Sequence, residues 1–460
     1  MTRSIFYSLS LHIKEQAVHQ KKLFSSVIWQ FLFLLFPIIG FAQEEKYKLT
    51  LAEAIQFAKT QNKSVQATQI EESAVAADRK DVYKAALPVI NTGTSYQRFS
   101  GLTLFTDGLS NSRTEQRKPS SNSANLGIDV LFNIYSGGKQ KALQEEQNSR
   151  LKLATLNSLD TSGNIAFQTA SQYLDLVKLY ELKKFILDQL KRSQARLSNI
   201  NSLYKNQKVT KSDLLRAQVT LSNVELSLQQ TQNDISIANE KLDILMNIPD
   251  SVIISPIDSA GITKPEIKSL LPFVEGIERS SFGVQKTAEN VELQRARVKA
   301  VRSNNLPSLS FYSAYGLNYP NYLFFPPVDQ AYSIGFVGLK LQYNISSIYQ
   351  NKDKLVAAKL RVKELETEHE AHSDNIRAEI KSYYIKYGEA LNRISVNEEA
   401  VEQAKVNYGI VNSRYLNQLS LLTDLLDADN LYQESRLNLV KAQTDALTIY
   451  YHILYTSGNL

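Results

Sequence analysis

Tyr204-Lys-Asn-Gln-Lys-Val-Thr-Lys-Ser-Asp-Leu-Leu-Arg-Ala217 and Tyr415-Leu-Asn-Gln-Leu-Ser-Leu-Leu-Thr-Asp-Leu-Leu-Asp-Ala428 are two versions of one segment, 211 residues apart. The same offset sets Phe132-Asn133-Ile134 on Tyr343-Asn344-Ile345, and Leu226 and Leu228 on Leu437 and Leu439. Register held over that length is the mark of a tandem repeat, a single supersecondary plan used twice. Upstream, Leu87-Pro88 pairs with Leu306-Pro307 at an offset of 219, so the second copy is eight residues shorter between its proline and its Asn-Ile.

Working outward, each copy reads helix, strand pair, long helix, helix. The first helix is predicted from Thr50, a cap with Glu53 three residues on, to just before Pro88. Proline-free stretches from Lys139 to Tyr204 and from Asn351 to Tyr415 predict helices on the order of 100 Å long, which must lie on others along their length. Leu214, Ala217, Leu221, Val224 and Leu228 step by three and four, as do Leu425, Ala428, Tyr432, Ser435 and Leu439; both are coiled-coil seams. Val362, Leu365, His369, His372, Ile376, Tyr383 and Tyr387 continue the stripe on the second long helix. The boundaries that follow are repeat one over 43–248, a linker rich in Ile, Ser, Asp and Pro over 249–270, and repeat two over 271–460.

Four strands are predicted between the helices, at about 89–99, 123–134, 308–317 and 331–345. In the second, Ala124, Leu126, Ile128, Val130 and Phe132 alternate with Asn125, Gly127 and Asp129. In the fourth, Val337, Leu339, Leu341 and Tyr343 alternate with Gly338, Lys340 and Gln342. A lipid-facing barrel wall with a wet lumen requires this dyad pattern, and a half-buried sheet of a soluble protein also satisfies it. Four strands do not close a barrel, and open edges are not tolerated in lipid, so a barrel reading requires several chains to share one.

Lys21-Lys22 precede an apolar run from Val27 to Phe41 that ends Gly40-Phe41-Ala42, which reads as an export signal over residues 1–42; a membrane anchor is the alternative. Beyond residue 42 no run of apolar residues is long enough for a spanning helix. The residues after 42 carry 48 basic and 45 acidic side chains without a basic block, so nucleic acid is not a partner on this reading. The absence of cysteine excludes disulfides and thiolate metal sites.

With these residues in place the chain resembles the outer-membrane efflux protein family typified by TolC. The likeness rests on the two repeats, the Leu-Pro steps at Leu87-Pro88 and Leu306-Pro307, the small-residue turn Ser136-Gly137-Gly138, and the opening Leu49-Thr-Leu-Ala-Glu-Ala-Ile-Gln-Phe-Ala58. The resemblance implies a mainly α fold with a membrane β-barrel: a homotrimer whose twelve strands form a barrel in outer-membrane lipid, continued by an α-helical periplasmic tunnel. It also implies two partners, a periplasmic adaptor protein and an inner-membrane transporter. Thr423-Asp-Leu-Leu-Asp-Ala-Asp-Asn-Leu-Tyr432 is similar to the family segment whose two aspartates ring the periplasmic mouth, which places Asp424 and Asp427 there and Tyr415 beside them. Ser420 stands where the family's arginine partner is expected, a departure from the pattern. Asp424 has a second reading as a helix cap, since Asp213 recurs at the equivalent position of the first copy. The turns with Asn206, Gln207, Lys208 and Thr210 and with Asn417, Gln418 and Ser420 are the implied adaptor-contact tips. The loops at 100–121 and 318–330 are expected to face outside.

Catalysis finds no machinery in the sequence. Glu368-His369-Glu370-Ala371-His372 sets two histidines on one helix face, but it is not the His-Glu-x-x-His of zinc enzymes, and both histidines fall in the packing stripe. No cofactor is expected. The functional expectation is therefore a passive conduit for efflux or type I secretion; the rival is a soluble periplasmic coiled-coil scaffold, with a metal-binding enzyme at His369 and His372 a distant third.

Overall fold

The structure is a computed structural model of the chain and describes residues 45–100, 103–105, 108–110, 112–114, 121–250, 252–258, 265–266, 270–272, 276, 280–323 and 328–460. The export signal predicted for residues 1–42 lies outside the described residues, as do parts of the linker and of both predicted outer loops. Residues 48–249 with 254–460 form one compact unit, which holds all the helices and the main sheet described below.

The chain runs β1 (Glu45–Leu49), α1 (Leu51–Gln61), α2 (Lys63–Lys84), β2 (Val89–Arg98), a short hairpin of β3 (Thr103–Phe105) and β4 (Ser112–Thr114), then β5 (Asn122–Ser136), α3 (Lys139–Lys205), α4 (Lys211–Met246) and β6 (Val252–Pro256). It continues with α5 (Phe282–Ser303), β7 (Ser308–Tyr319), β8 (Tyr332–Gln342), the single turn α6 (Ser347–Gln350), α7 (Lys352–Leu416) and α8 (Leu422–Thr456). The two long helices have 67 and 65 residues, each on the order of 100 Å. The seam positions face inward: Ala217, Val224, Leu425, Ala428 and Ser435 are buried.

Three features depart from the sequence expectation. Thr50 caps α1 in a full capping box, its hydroxyl accepting from the Glu53 amide while the Glu53 carboxylate accepts from the Thr50 amide at 2.8 Å. The helix does not run on to Pro88, however; it breaks at Asn62. The Asn62 side-chain oxygen accepts from the Ser64 and Val65 amides, and its Nδ2 donates to the Leu245 carbonyl in the last turn of α4 at 2.9 Å. A side chain that caps and reaches across in this way competes with continuation of the helix. The second helix of this type starts at Phe282 rather than near Leu271, and the predicted linker contributes a strand, since β6 pairs with β1.

The buried core lies along α3 and α7. Tyr173, Leu174 and Val177 of α3 pack with Leu51, Ala54 and Ala58 of α1 and Leu242 and Met246 of α4. Ile380, Tyr387 and Ile394 of α7 pack with Ala442, Ala446 and Ile453 of α8. One buried tyrosine on each long helix ties down a connecting segment. The Tyr173 hydroxyl donates to the Leu49 carbonyl at 2.7 Å and contacts the Asp258 carboxylate at 3.0 Å, and burial, reinforced by that carboxylate, raises its pKa. Tyr387 donates to the Pro265 carbonyl at 2.6 Å, and burial pushes its pKa up to about 12.

The strands form one antiparallel sheet in the order β2-β5-β7-β8, so β2 and β8 are its edges. Direct pairing sets Ile90 across from Val130, Val130 across from Ser313, and Ser313 across from Val337, with Phe132, Phe311 and Leu339 in the next row but one. That face is apolar, and Ile90, Leu126, Ile128, Tyr315, Val337, Leu339 and Leu341 on it are exposed. The other face carries hydrogen-bonded polar rows: Asn91 to Asp129 at 3.0 Å, Asn125 to Asn318 at 2.6 Å and Ser310 to Asn133 at 2.8 Å. Tyr312 lies over Gly338, where a Cβ would come within 2.6 Å of the ring, which explains a glycine inside this strand.

Asp258 also accepts from the Leu51 amide at 2.7 Å, at the start of α1. Asp258→Ala leaves the Leu51 amide without its acceptor, while the Tyr173 hydroxyl keeps the Leu49 carbonyl, and is expected to cost about 1–3 kcal/mol, read as a lower denaturant midpoint with an unchanged slope.

Candidate functional site: the helical tips and their junction

The two predicted tips have one backbone geometry. After α3 the chain passes through Asn206 into Gln207 with φ of +59°, and after α7 through Asn417 into Gln418 with φ of +63°. Lys208 donates its amide to Leu203 at 2.9 Å, and Leu419 donates to Arg414 at 2.8 Å, the long bond that closes a Schellman turn. Glutamine takes the left-handed position that glycine fills at lowest cost.

The next helices are capped alike but by different side chains. Thr210 caps α4, its amide and hydroxyl donating to Asp213 at 3.0 and 2.7 Å. At α8 the cap position is Leu421, whose amide donates to Asp424 at 3.0 Å, and the Ser420 hydroxyl donates to the same carboxylate at 2.8 Å. Those bonds, Ser420 first, hold the Asp424 carboxyl below the usual carboxylate range. Asp424 is thus built into the cap, while Asp427, one turn on, is exposed and has no ion-pair partner among the described residues. Ser420, the departure noted in the sequence, is the residue that secures Asp424.

Both tips line one cleft of about 520 Å³, in which Lys208, Thr210, Gln418 and Ser420 meet Tyr415 and Leu421. Tyr415 is half-buried at the crossing of the two hairpins, packed with Ile200, Ala217 and Leu422. Burial raises its pKa, and the nearby Arg196 opposes the rise.

Sequence reasoning missed the strongest polar contact of the region. Asp429 is 2% exposed, and its two carboxylate oxygens take Arg192 at 3.1 Å and Arg196 at 2.9 Å, joining α3 to α8. Tyr408 of α7 stacks on Tyr432, and Arg192 lies 5.8 Å from its ring, so all three helices share the site. The available signal was Arg192 and Arg196 four apart on one helix face, set against an aspartate beside the Leu425 to Ser435 seam.

The histidines of α7 take packing positions. His369 Nδ1 lies 2.8 Å from the Thr287 hydroxyl of α5, and His372 lies against Gly283. Among the described residues no group of three or more His, Asp or Glu is placed to hold a metal ion. His452 of α8 stacks on Tyr383 at 3.9 Å, and burial lowers its pKa against a weaker opposing pull from Glu379.

Residues 277–455 match the family model described as Outer membrane efflux protein. The chain thus carries an outer membrane efflux protein domain over these residues. The match covers α5, α7 and all but the last residue of α8. No curated protein sequence matches. Among solved structures, the chain is similar to the outer-membrane channel OprN at 16% identity, over 89% of this chain and 90% of that one, with a TM-score of 0.74. It is similar to the outer membrane protein VceC of Vibrio cholerae at 17% identity, over 89% and 96%, with a TM-score of 0.73. It is also similar to CusC at 14% identity, over 93% and 96%, with a TM-score of 0.75. At these identities the likeness is one of fold.

The junction and the buried histidine each have a measurable consequence. Asp429→Ala strands two arginine charges in a buried junction and is expected to destabilise the chain by about 3 kcal/mol or more, whereas Asp424→Ala, on the exposed cap, has a smaller effect; denaturant unfolding of both variants checks the order. Because the folded pKa of His452 is depressed, stability is fully present above the unfolded value of about 6.5 and falls as pH drops below it. The thermal midpoint should therefore drop between pH 7.5 and pH 5 by less in His452→Gln than in the parent.

Proposed function

We infer that this chain is the outer-membrane channel component of a tripartite efflux pump or type I secretion system, a passive conduit from periplasm to exterior. The observation that carries the reading is a sheet with an exposed apolar face and two open edges, joined to helices of more than sixty residues in a chain whose residues 277–455 match the outer membrane efflux protein model. Exposed apolar strands next to polar, hydrogen-bonded rows suit lipid on one side and water on the other. Three chains supply twelve strands, enough to close a barrel and pair both edges, and the same symmetry arranges the helices as a periplasmic tunnel. A soluble scaffold would leave a large apolar face in water, which disfavours that alternative.

The mouth of the tunnel is proposed at the tips. Asp424 and Asp427 from three copies bring six carboxylates around the axis, a field that repels anions and favours cations. Capping does not remove the charge of Asp424; it fixes its position. Tyr415 and the Asp429 triad hold the two hairpins of each chain together behind that ring. Asn206, Gln207, Lys208, Thr210, Asn417, Gln418 and Ser420 form the surface offered to the periplasmic adaptor, which links the duct to the inner-membrane transporter.

Detergent-extracted protein, crosslinked and reconstituted into planar bilayers, is expected to run as a trimer and to conduct ions. A water-soluble species without conductance contradicts the reading. In the conducting trimer, Asp424→Ala with Asp427→Ala is expected to lower cation selectivity; unchanged selectivity leaves both residues with structural duty alone.

A further inference from the structure

The four segments that join the sheet to α2, α3, α5 and α7 (residues 80–88, 134–143, 298–307 and 343–354) differ in charge from the rest of the molecule. α2 ends with Lys80 and Lys84, and α5 ends with Lys299 and Arg302. α3 begins with Lys139 and Lys141, and α7 begins with Lys352 and Lys354. Against these eight basic residues the segments hold two acids, Asp81 and Asp353. They therefore carry a formal +6, while the chain after residue 42 as a whole carries only +3. Basic residues are concentrated where helices meet the sheet, and the remainder is net acidic.

All eight are exposed. Lys299 pairs with Glu145 at 2.7 Å, and the other seven have no ion-pair partner among the described residues. Further along α5 the basic residues are paired: Arg297 with Glu146, Lys286 with Asp160, Arg295 with Glu366. All eight collar residues lie within about 6 Å of axis from the sheet-facing ends of their helices. Between these charges and the apolar sheet face stands a rim of exposed Leu87, Ile134, Tyr135, Leu306, Ile345 and Tyr349. Apolar strands, then aromatic and aliphatic rim, then lysine and arginine is the order of hydrocarbon, interface and phosphate across half a bilayer. Lysine stems also extend along apolar surface while their ammonium groups reach polar headgroups.

We propose that these helix ends form a basic collar that binds the phosphates of anionic phospholipids in the leaflet facing the helices. The proposal rests on the barrel reading and adds to it a lipid preference and the residues that set it. Three copies present 24 basic groups around the barrel base, and the attraction decays with added salt over about one Debye length.

The test uses the full chain with Trp29→Phe and Tyr349→Trp, which leaves one tryptophan at the rim. It is reconstituted in phosphatidylcholine vesicles containing brominated phosphatidylglycerol or, separately, brominated phosphatidylcholine at equal mole fraction. Brominated phosphatidylglycerol is expected to quench more strongly, with an apparent preference of about twofold or more that weakens in high salt. Replacing Lys84, Lys139, Arg302 and Lys352 together by Gln should bring the two lipids to equality, while a Lys→Arg version of the three lysines keeps the preference and serves as the folding control. Equal quenching in the parent overturns the collar and leaves the barrel standing, as does a preference that survives the Gln substitutions. Quenching by neither lipid overturns the membrane reading itself, and the collar with it.

Discussion

A backbone amide or carbonyl left unpaired in hydrocarbon costs several kcal/mol, and the outer strands of this sheet present a whole row of them. β2 and β8 each have one neighbour within the chain. Everything proposed for the protein follows from where the other rows of bonds go. If the apolar face lies in lipid, the edges must find each other, and with four strands per chain that requires further copies. The exposure of Val337, Leu339 and Leu341 on β8 and of Ile90 on β2 then has a single cause.

The helical part answers a different constraint. A helix of 67 residues is stable in water only when its length is packed, and each neighbour here meets it along a narrow stripe. The seams meet this with small and mixed residues, Ala217, Ala428 and Ser435 beside Val224 and Leu425, and with ends that bind other ends, as Asn62 binds the last turn of α4. At the tips the apolar stripe is supplemented by charge: Asp429 with two arginines joins the hairpins where little core remains. A buried triad of this kind costs desolvation and returns a defined geometry, which suits a junction behind the proposed mouth.

Much of this was legible in the sequence because the signals were periodic. The three-four steps of Leu214 to Leu228 and the alternation of Ala124 to Phe132 gave helices and strands within a few residues of their observed ends, and the Thr50 to Glu53 box was read outright. The long helices were placed to within a residue, since no proline interrupts either stretch before the Asn-Gln turns. What escaped was non-local. The break at Asn62 exists because α4 ends beside it, the pairing of β6 with β1 joins segments two hundred residues apart, and the partners of Asp429 lie more than two hundred residues upstream. None of these leaves a periodic trace. Of the candidate site, the capping half of Asp424 was visible in its match to Asp213, whereas the use of Ser420 to secure it depended on geometry.

The shared barrel is tested most directly at its edges. The chain has no cysteine, so Thr94→Cys on β2 and Leu339→Cys on β8 can be introduced together and treated in the membrane with a short bismaleimide. The account predicts covalent dimers and trimers from the double variant and none from either single variant. Monomers alone, with both cysteines accessible to a simple maleimide, would contradict it.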